Sequence, residues 1–156
     1  MKKIAILGLV VVLAASMLSV GCTKPATETG NMAVRVIPFN ELALHSGPGK
    51  DIVNKVLVDN ESSDASHLSL GWIRFDPGAK TDDHTREVEE VIYVVQGKTI
   101  IVADNVEYEL SPRDCIFIPP GTMHRHENRG TEVLEQIFIF APQGPEKALR
   151  ELPLLK

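Results

Sequence analysis

Between residues 52 and 140 the chain is cut, at close and fairly even intervals, into short apolar runs rich in β-branched side chains. The runs are residues 52–58, 67–75, 91–95, 99–103, 106–110, 115–118 and 133–140, with 34–39 preceding them. They are separated at Asp59-Asn60, Asp76-Pro77-Gly78, Gln96-Gly97, Asp104-Asn105, Ser111-Pro112, Pro119-Pro120-Gly121 and Asn128-Arg129-Gly130. Glycine, proline and Asx side chains at those points favour turns, and segments this short suit strands rather than helices. The pattern predicts an all-β sandwich or barrel. Only residues 145–152 read as a helix, with Ala148, Leu149 and Leu152 apolar among Glu146, Lys147, Arg150 and Glu151; it would cap or pack on the barrel.

The N-terminal residues are of another kind. Lys2 and Lys3 precede an apolar stretch over residues 4–20, which ends in Gly21-Cys22. Residues 1–21 therefore read as a signal peptide, and the stretch is short of the ~20 residues a spanning helix needs. Leu18-Ser19-Val20-Gly21-Cys22 resembles the lipobox of bacterial lipoproteins, with Ser19 where leucine is commonest. The resemblance implies lipidation at Cys22, a membrane partner through that lipid anchor, and an extracytoplasmic location in the periplasm or on the cell surface. An uncleaved anchor and ordinary secretion are the alternatives. Residues 22–32, with Pro25, Gly30 and a row of threonines, read as a flexible tether.

Residues 33–156 are enough for one domain and too few for two. The chain has 16 Lys and Arg against 21 Asp and Glu, a formal charge of −5. That balance argues against a nucleic-acid partner, whose phosphates require basic patches. With Cys22 carrying lipid, Cys115 has no partner for a disulfide, and its Cys-Ile-Phe-Ile setting predicts a buried, inert thiol.

Within residues 78–128, chemistry-bearing side chains recur at fixed spacing. Gly78, His84, Glu90 and Gly97 form one set, and Pro119, Gly121, His124 and Asn128 form another. Imidazole and carboxylate ligands together suit iron, manganese, nickel or zinc. These residues carry a resemblance to the cupin family, whose motifs run G-x5-H-x-H-x3-E-x6-G and G-x5-P-x-G-x2-H-x3-N. Two positions depart: Arg86 stands in place of the second histidine, and Arg113 in place of the leading glycine of the second motif.

The resemblance implies a cupin-type double-stranded jelly-roll β-barrel, here with a short C-terminal helix, in which ligands converge from neighbouring strands. It also implies one divalent transition metal (Fe, Mn, Ni or Zn) on His84, Glu90 and His124, a set that matches the two-histidine, one-carboxylate triad of non-haem iron oxygenases. Arg86 has three readings: it swings outward, it reaches over the pocket to pair with an anionic substrate, or it pairs with Glu90 in a barrel that has lost its metal. Arg86 and His126 are the candidate substrate-binding residues. For His126 a replacement ligand stands beside a partly exposed ring with a water partner. His45 and His67, outside both motifs, read as surface or satisfied core residues. Trp72, Phe75, Tyr93 and Phe117 read as core or pocket wall.

The function expected is that of a membrane-tethered, metal-binding barrel acting on a small organic substrate, by dioxygenase-type oxidation or by lyase or isomerase chemistry. A non-catalytic extracytoplasmic barrel that captures a small ligand or metal is the rival reading, and a structural envelope subunit is a third. A homodimer formed through sheet edges is the remaining partner expectation.

Overall fold

The structure is a computed structural model that describes residues 33–155 apart from Pro48. The expected signal peptide (1–21), the lipidated Cys22 and the tether to residue 32 lie outside the described residues.

The described strands are β1 (His45–Ser46), β2 (Ile52–Val58), β3 (Ser69–Phe75), β4 (Glu89–Gln96), β5 (Thr99–Ala103), β6 (Val106–Leu110), β7 (Cys115–Ile118), β8 (His124–Glu127) and β9 (Leu134–Ala141). Two short helices, α1 (Asn60–Ser63) and α2 (Glu146–Arg150), and a 3-10 turn at Phe39–Glu41 complete the set. The strands pair antiparallel into a larger sheet ordered β1-β2-β3-β9-β4-β7 and a smaller one ordered β6-β5-β8. The two pack face to face as the jelly-roll barrel the motifs implied.

Alternation along the strands builds the interior. Leu134, Gln136, Phe138 and Phe140 of β9 point inward, while Glu135, Ile137 and Ile139 lie on the outer face. Phe75, Val94 and Leu134 of the large sheet pack with Ile101 and Leu110 of the small one at one end of the core. At the other end Val56, Ile92, Phe138 and Phe140 cluster with the half-buried Leu149 of α2.

The helix α2 is held by polar contacts. Arg150 Nε and Nη2 donate to the Asp59 carboxylate at 2.6 and 2.9 Å. Buried Glu146 accepts from Ser69 Oγ at 2.8 Å and from the Gly144 amide at 2.6 Å. The chain beyond it returns to the sheet, where the Leu152 carbonyl accepts from His45 Nδ1 at 2.8 Å. His45 is thus a satisfied core residue, whereas His67 is exposed.

Three expectations are corrected. Residues 34–39 form no strand: Val34 and Val36 are open to solvent and pair with no strand. Cys115 is exposed rather than buried, since its register partner Tyr93 also points outward from the β4–β7 pair. Tyr93 and Phe117 accordingly sit on the outer face and not in the core. The run called at 133–140 begins one residue later, and β4 starts two residues before the run at 91–95, taking in Glu89 and Glu90.

Candidate metal centre

The segment before β4 adds itself to the small sheet. The His84 and His124 amides each donate to the other residue's carbonyl at 2.9 Å, and the Gly121 amide donates to the Arg86 carbonyl at 2.8 Å. Residues 84 and 86 are thereby fixed beside β8, whose inward positions are His124 and His126. From the large sheet, β4 presents Glu90. Each of these four residues offers one ligand-type atom, and all four atoms lie within 4.8 Å of one another.

The histidines are oriented for this. His84 Nδ1 donates to the Asp82 carbonyl at 2.9 Å and His124 Nδ1 to the Thr122 carbonyl at 2.9 Å. His126 Nδ1 lies 3.3 Å from Gln136 Oε1. In a neutral ring, proton donation from Nδ1 leaves Nε2 with a free lone pair, the arrangement by which outer hydrogen bonds orient metal-ligating imidazoles. His124 Nε2 lies 3.2 Å from Glu90 Oε2, and His126 Nε2 lies 3.8 Å from Glu90 Oε1. Both Glu90 Oε2 and His124 Nε2 are buried, and neither has a polar partner other than the other. A buried carboxylate oxygen and imidazole nitrogen with no polar neighbour but each other fit a divalent cation, since buried polar atoms are otherwise fully paired.

Electrostatics agree. Burial pushes the Glu90 carboxyl upward, but His124, His126 and Arg86 outweigh it and hold Glu90 below its ordinary range. Burial drives His126 down to about 4, and burial, with Arg86 and His124 beside it, lowers His84. For His124, burial acts downward but is outweighed by Glu90, so its proton is held more tightly than usual. Glu90 is thus held as a carboxylate and His84 and His126 as neutral imidazoles, while at His124 an incoming cation competes with a proton that Glu90 favours.

The sequence-derived residues thus come together as follows. His84, Glu90 and His124 share one cluster, and His126 joins them rather than standing partly exposed, because β8 carries positions 124 and 126 on the same face. Its imidazole makes up the count lost where Arg86 replaces a motif histidine. Arg86 does not swing outward and makes no ion pair with Glu90 or any other carboxylate among the described residues. Its guanidinium lies 5.5 Å from the centre of the Phe140 ring, with a buried Nε that has no partner. Asn128 is not a site residue: its Nδ2 donates to the Phe75, Asp76 and Glu132 carbonyls, tying the chain together as it leaves β8.

A cavity of about 200 Å³ opens beside the cluster. His84, Glu90, His126 and Arg86 line it together with Ile52, Ile73, Phe75, Ile92, Phe138, Phe140, Leu149 and Leu152. Among the polar residues not singled out from sequence are Asn54, which lines the cavity, and the buried Gln136 of β9. Their signal was present: each breaks an apolar alternation, Ile52-x-Asn54-x-Val56 and Leu134-x-Gln136-x-Phe138, at an inward position.

Comparisons with known proteins point one way. The cupin domain model matches residues 71–140. A relative from Streptomyces glaucescens, the tetracenomycin polyketide synthase protein TcmJ, is 26% identical over 61% of this chain, and the chain spans 64% of that protein's length. Among solved structures, KdgF from Halomonas sp. has a TM-score of 0.64 at 22% identity, covering 74% of this chain and 99% of that one. The polyketide cyclase RemF from Streptomyces resistomycificus has a TM-score of 0.63 at 22% identity, covering 72% and 82%. The two facing sheets, the motif residues from Gly78 to Asn128 and the match over residues 71–140 together support the cupin family for this chain.

Proposed function

We propose that the domain binds one divalent transition metal through His84, Glu90, His124 and His126 and acts as a metal-dependent enzyme on a small organic molecule held in the adjoining cavity. The observation that carries this reading is the set of three imidazoles whose Nδ1 atoms are engaged on the outside while their other nitrogens gather around one buried carboxylate. The bound ion would supply Lewis acidity, or a redox centre if it is iron or manganese. Four protein ligands leave up to two positions of an octahedron for substrate.

The chain's own residues do the rest. His84, Glu90 and His126 border the cavity, so open positions face it, while His124 is buried behind them. The aliphatic and phenylalanine walls exclude water, which strengthens any charge interaction inside. Arg86, a cation with no carboxylate partner among the described residues, anchors an anionic group of the substrate. Relatives named as a polyketide synthase protein and a polyketide cyclase favour catalysis over mere capture. Oxidation of the dioxygenase type, lyase and isomerase reactions share these requirements. The signal peptide, lipidation at Cys22 and an extracytoplasmic, membrane-anchored location belong to the same reading, as does a homodimer through the outer face that exposes Tyr93, Val95 and Phe117.

The test is a titration of metal-free protein with iron, manganese, nickel and zinc, followed by thermal unfolding. One ion should raise the unfolding temperature at one equivalent per chain. No ion binding to the wild type would leave a metal-free ligand-binding barrel as the better account.

A further inference from the structure

The cavity has a second polar pole. Asn54 lies on β2, separated from β4 and its Glu90 by β3 and β9, and lines the same cavity from the opposite side. It is 1% exposed, and its Oδ1 has no hydrogen-bond partner. Ile52, Val56 and Ile73 beside it are apolar, and His45, its register partner on β1, engages Nδ1 with the Leu152 carbonyl and makes no hydrogen bond to it. An amide in that position is unfavourable for folding, because a buried polar atom left unpaired keeps its full desolvation penalty. A leucine of similar volume would fill the space without that penalty. Arg86 has the complementary deficit, a buried Nε without an acceptor, held over the Phe140 ring. The same apolar chamber therefore lacks an anion at one pole and a neutral hydrogen-bonding group at the other.

We infer that the substrate is a small hydroxy acid: an apolar body the size of one six-membered ring, with an anionic group on Arg86 and a hydroxyl on Asn54. This rests on the proposed function for the location of the reaction, although the two recognition contacts stand without the metal. Size limits the body. A cavity of ~150 Å³ accepts benzene, so the about 200 Å³ here takes a single ring with short substituents. Chemistry selects the second group. A carboxamide presents both a donor and an acceptor, and a hydroxyl can satisfy either, whereas a second anion would find no lysine or arginine there, Arg86 being the only one among the described residues that lines the cavity. A water molecule can fill the position in the free protein, and a hydroxyl that replaces it keeps the hydrogen bonds. Arg86 and Asn54 are both outside the ligand cluster, so recognition and metal binding are separable.

Calorimetric titration of the full chain with 4-hydroxybenzoate and 3-hydroxybenzoate tests this, with benzoate and 4-hydroxybenzamide as probes lacking the hydroxyl or the charge. At least one hydroxybenzoate should bind about tenfold more tightly than benzoate. Asn54→Leu should abolish that difference while leaving benzoate affinity unchanged, and Asn54→Ala should do the same should the leucine variant not fold. Arg86→Gln should weaken the hydroxybenzoate about tenfold and leave the benzamide unaffected. Equal affinity for benzoate and both hydroxybenzoates in the wild type, or a hydroxyl preference that survives both Asn54 variants, would overturn the inference. Metal content of the Asn54 and Arg86 variants, measured alongside, should equal that of the wild type. Absence of metal throughout would remove the proposed reaction and leave hydroxy-acid recognition standing, whereas full metal content with no hydroxyl preference would remove the recognition alone.

Discussion

Glu90 Oε2 and His124 Nε2 lie 3.2 Å apart in the barrel interior, both out of reach of solvent and neither with a polar partner other than the other. A proton tightly held on His124 relieves the pair when no cation is present, because Glu90 outweighs burial and raises that imidazole's pKa. A metal must displace this proton. Affinity should therefore be highest at alkaline pH and decline as pH falls through the folded value, with the loss beginning above the ordinary 6.5. Metal titrations at a series of pH values check this; affinity independent of pH from 8 to 6, roughly the span over which a histidine titrates, would speak against His124 as a ligand.

Gln136 sets the ring of His126 by accepting from its Nδ1. Removing such an outer partner typically lowers metal affinity about 10–100-fold. Gln136→Leu should show a loss of that size in a competitive chelator assay while the fold persists, since the position is fully buried in an otherwise apolar row.

Arg113 occupies the position at which the second motif has glycine, and its φ of 80° lies in the left-handed region that side chains with a Cβ disfavour. Its amide donates to the Val94 carbonyl at 2.9 Å, so the turn keeps the backbone path that glycine would take. Arg113→Gly should stabilise the domain by about 1 kcal/mol, seen as a higher denaturant midpoint with an unchanged slope.

Asp59 and Arg150 join the end of β2 to α2 across 91 residues of sequence. Burial alone would raise the Asp59 pKa, but the Arg150 guanidinium and Ser62 outweigh it and hold the carboxyl below its ordinary 3.8. A depressed folded pKa contributes stability that is present above 3.8 and lost as pH falls through the folded value. Asp59→Asn should lose about 2 kcal/mol near neutrality and show less further loss on acidification below 3.8 than the wild type.

Much of the barrel was legible because its strands are apolar runs with clear breaks: β2, β5, β6 and β7 have the bounds their runs predicted. What failed did so for physical reasons. The run at 34–39 has strand propensity but no pairing partner, and propensity without a ladder does not make a strand. β8, His-Arg-His-Glu, has no apolar alternation at all, because its inward face is built for ligands. The outward Tyr93, Cys115 and Phe117 show that periodicity separates two faces without saying which is covered. At the site, spacing gathered His84, Glu90 and His124, while His126 needed the observation that i and i+2 share a strand face. Arg86 could not be placed from sequence, since its three readings differ only in side-chain direction.

The most direct measurement is elemental analysis of purified wild type beside His84→Ala, Glu90→Gln, His124→Ala and His126→Ala. Near one equivalent of iron, manganese, nickel or zinc is expected in the wild type, with most of it lost in every variant, His126→Ala included. A folded wild type that holds no metal after exposure to each ion, or a His126→Ala and His124→Ala pair that both retain full content, would contradict it.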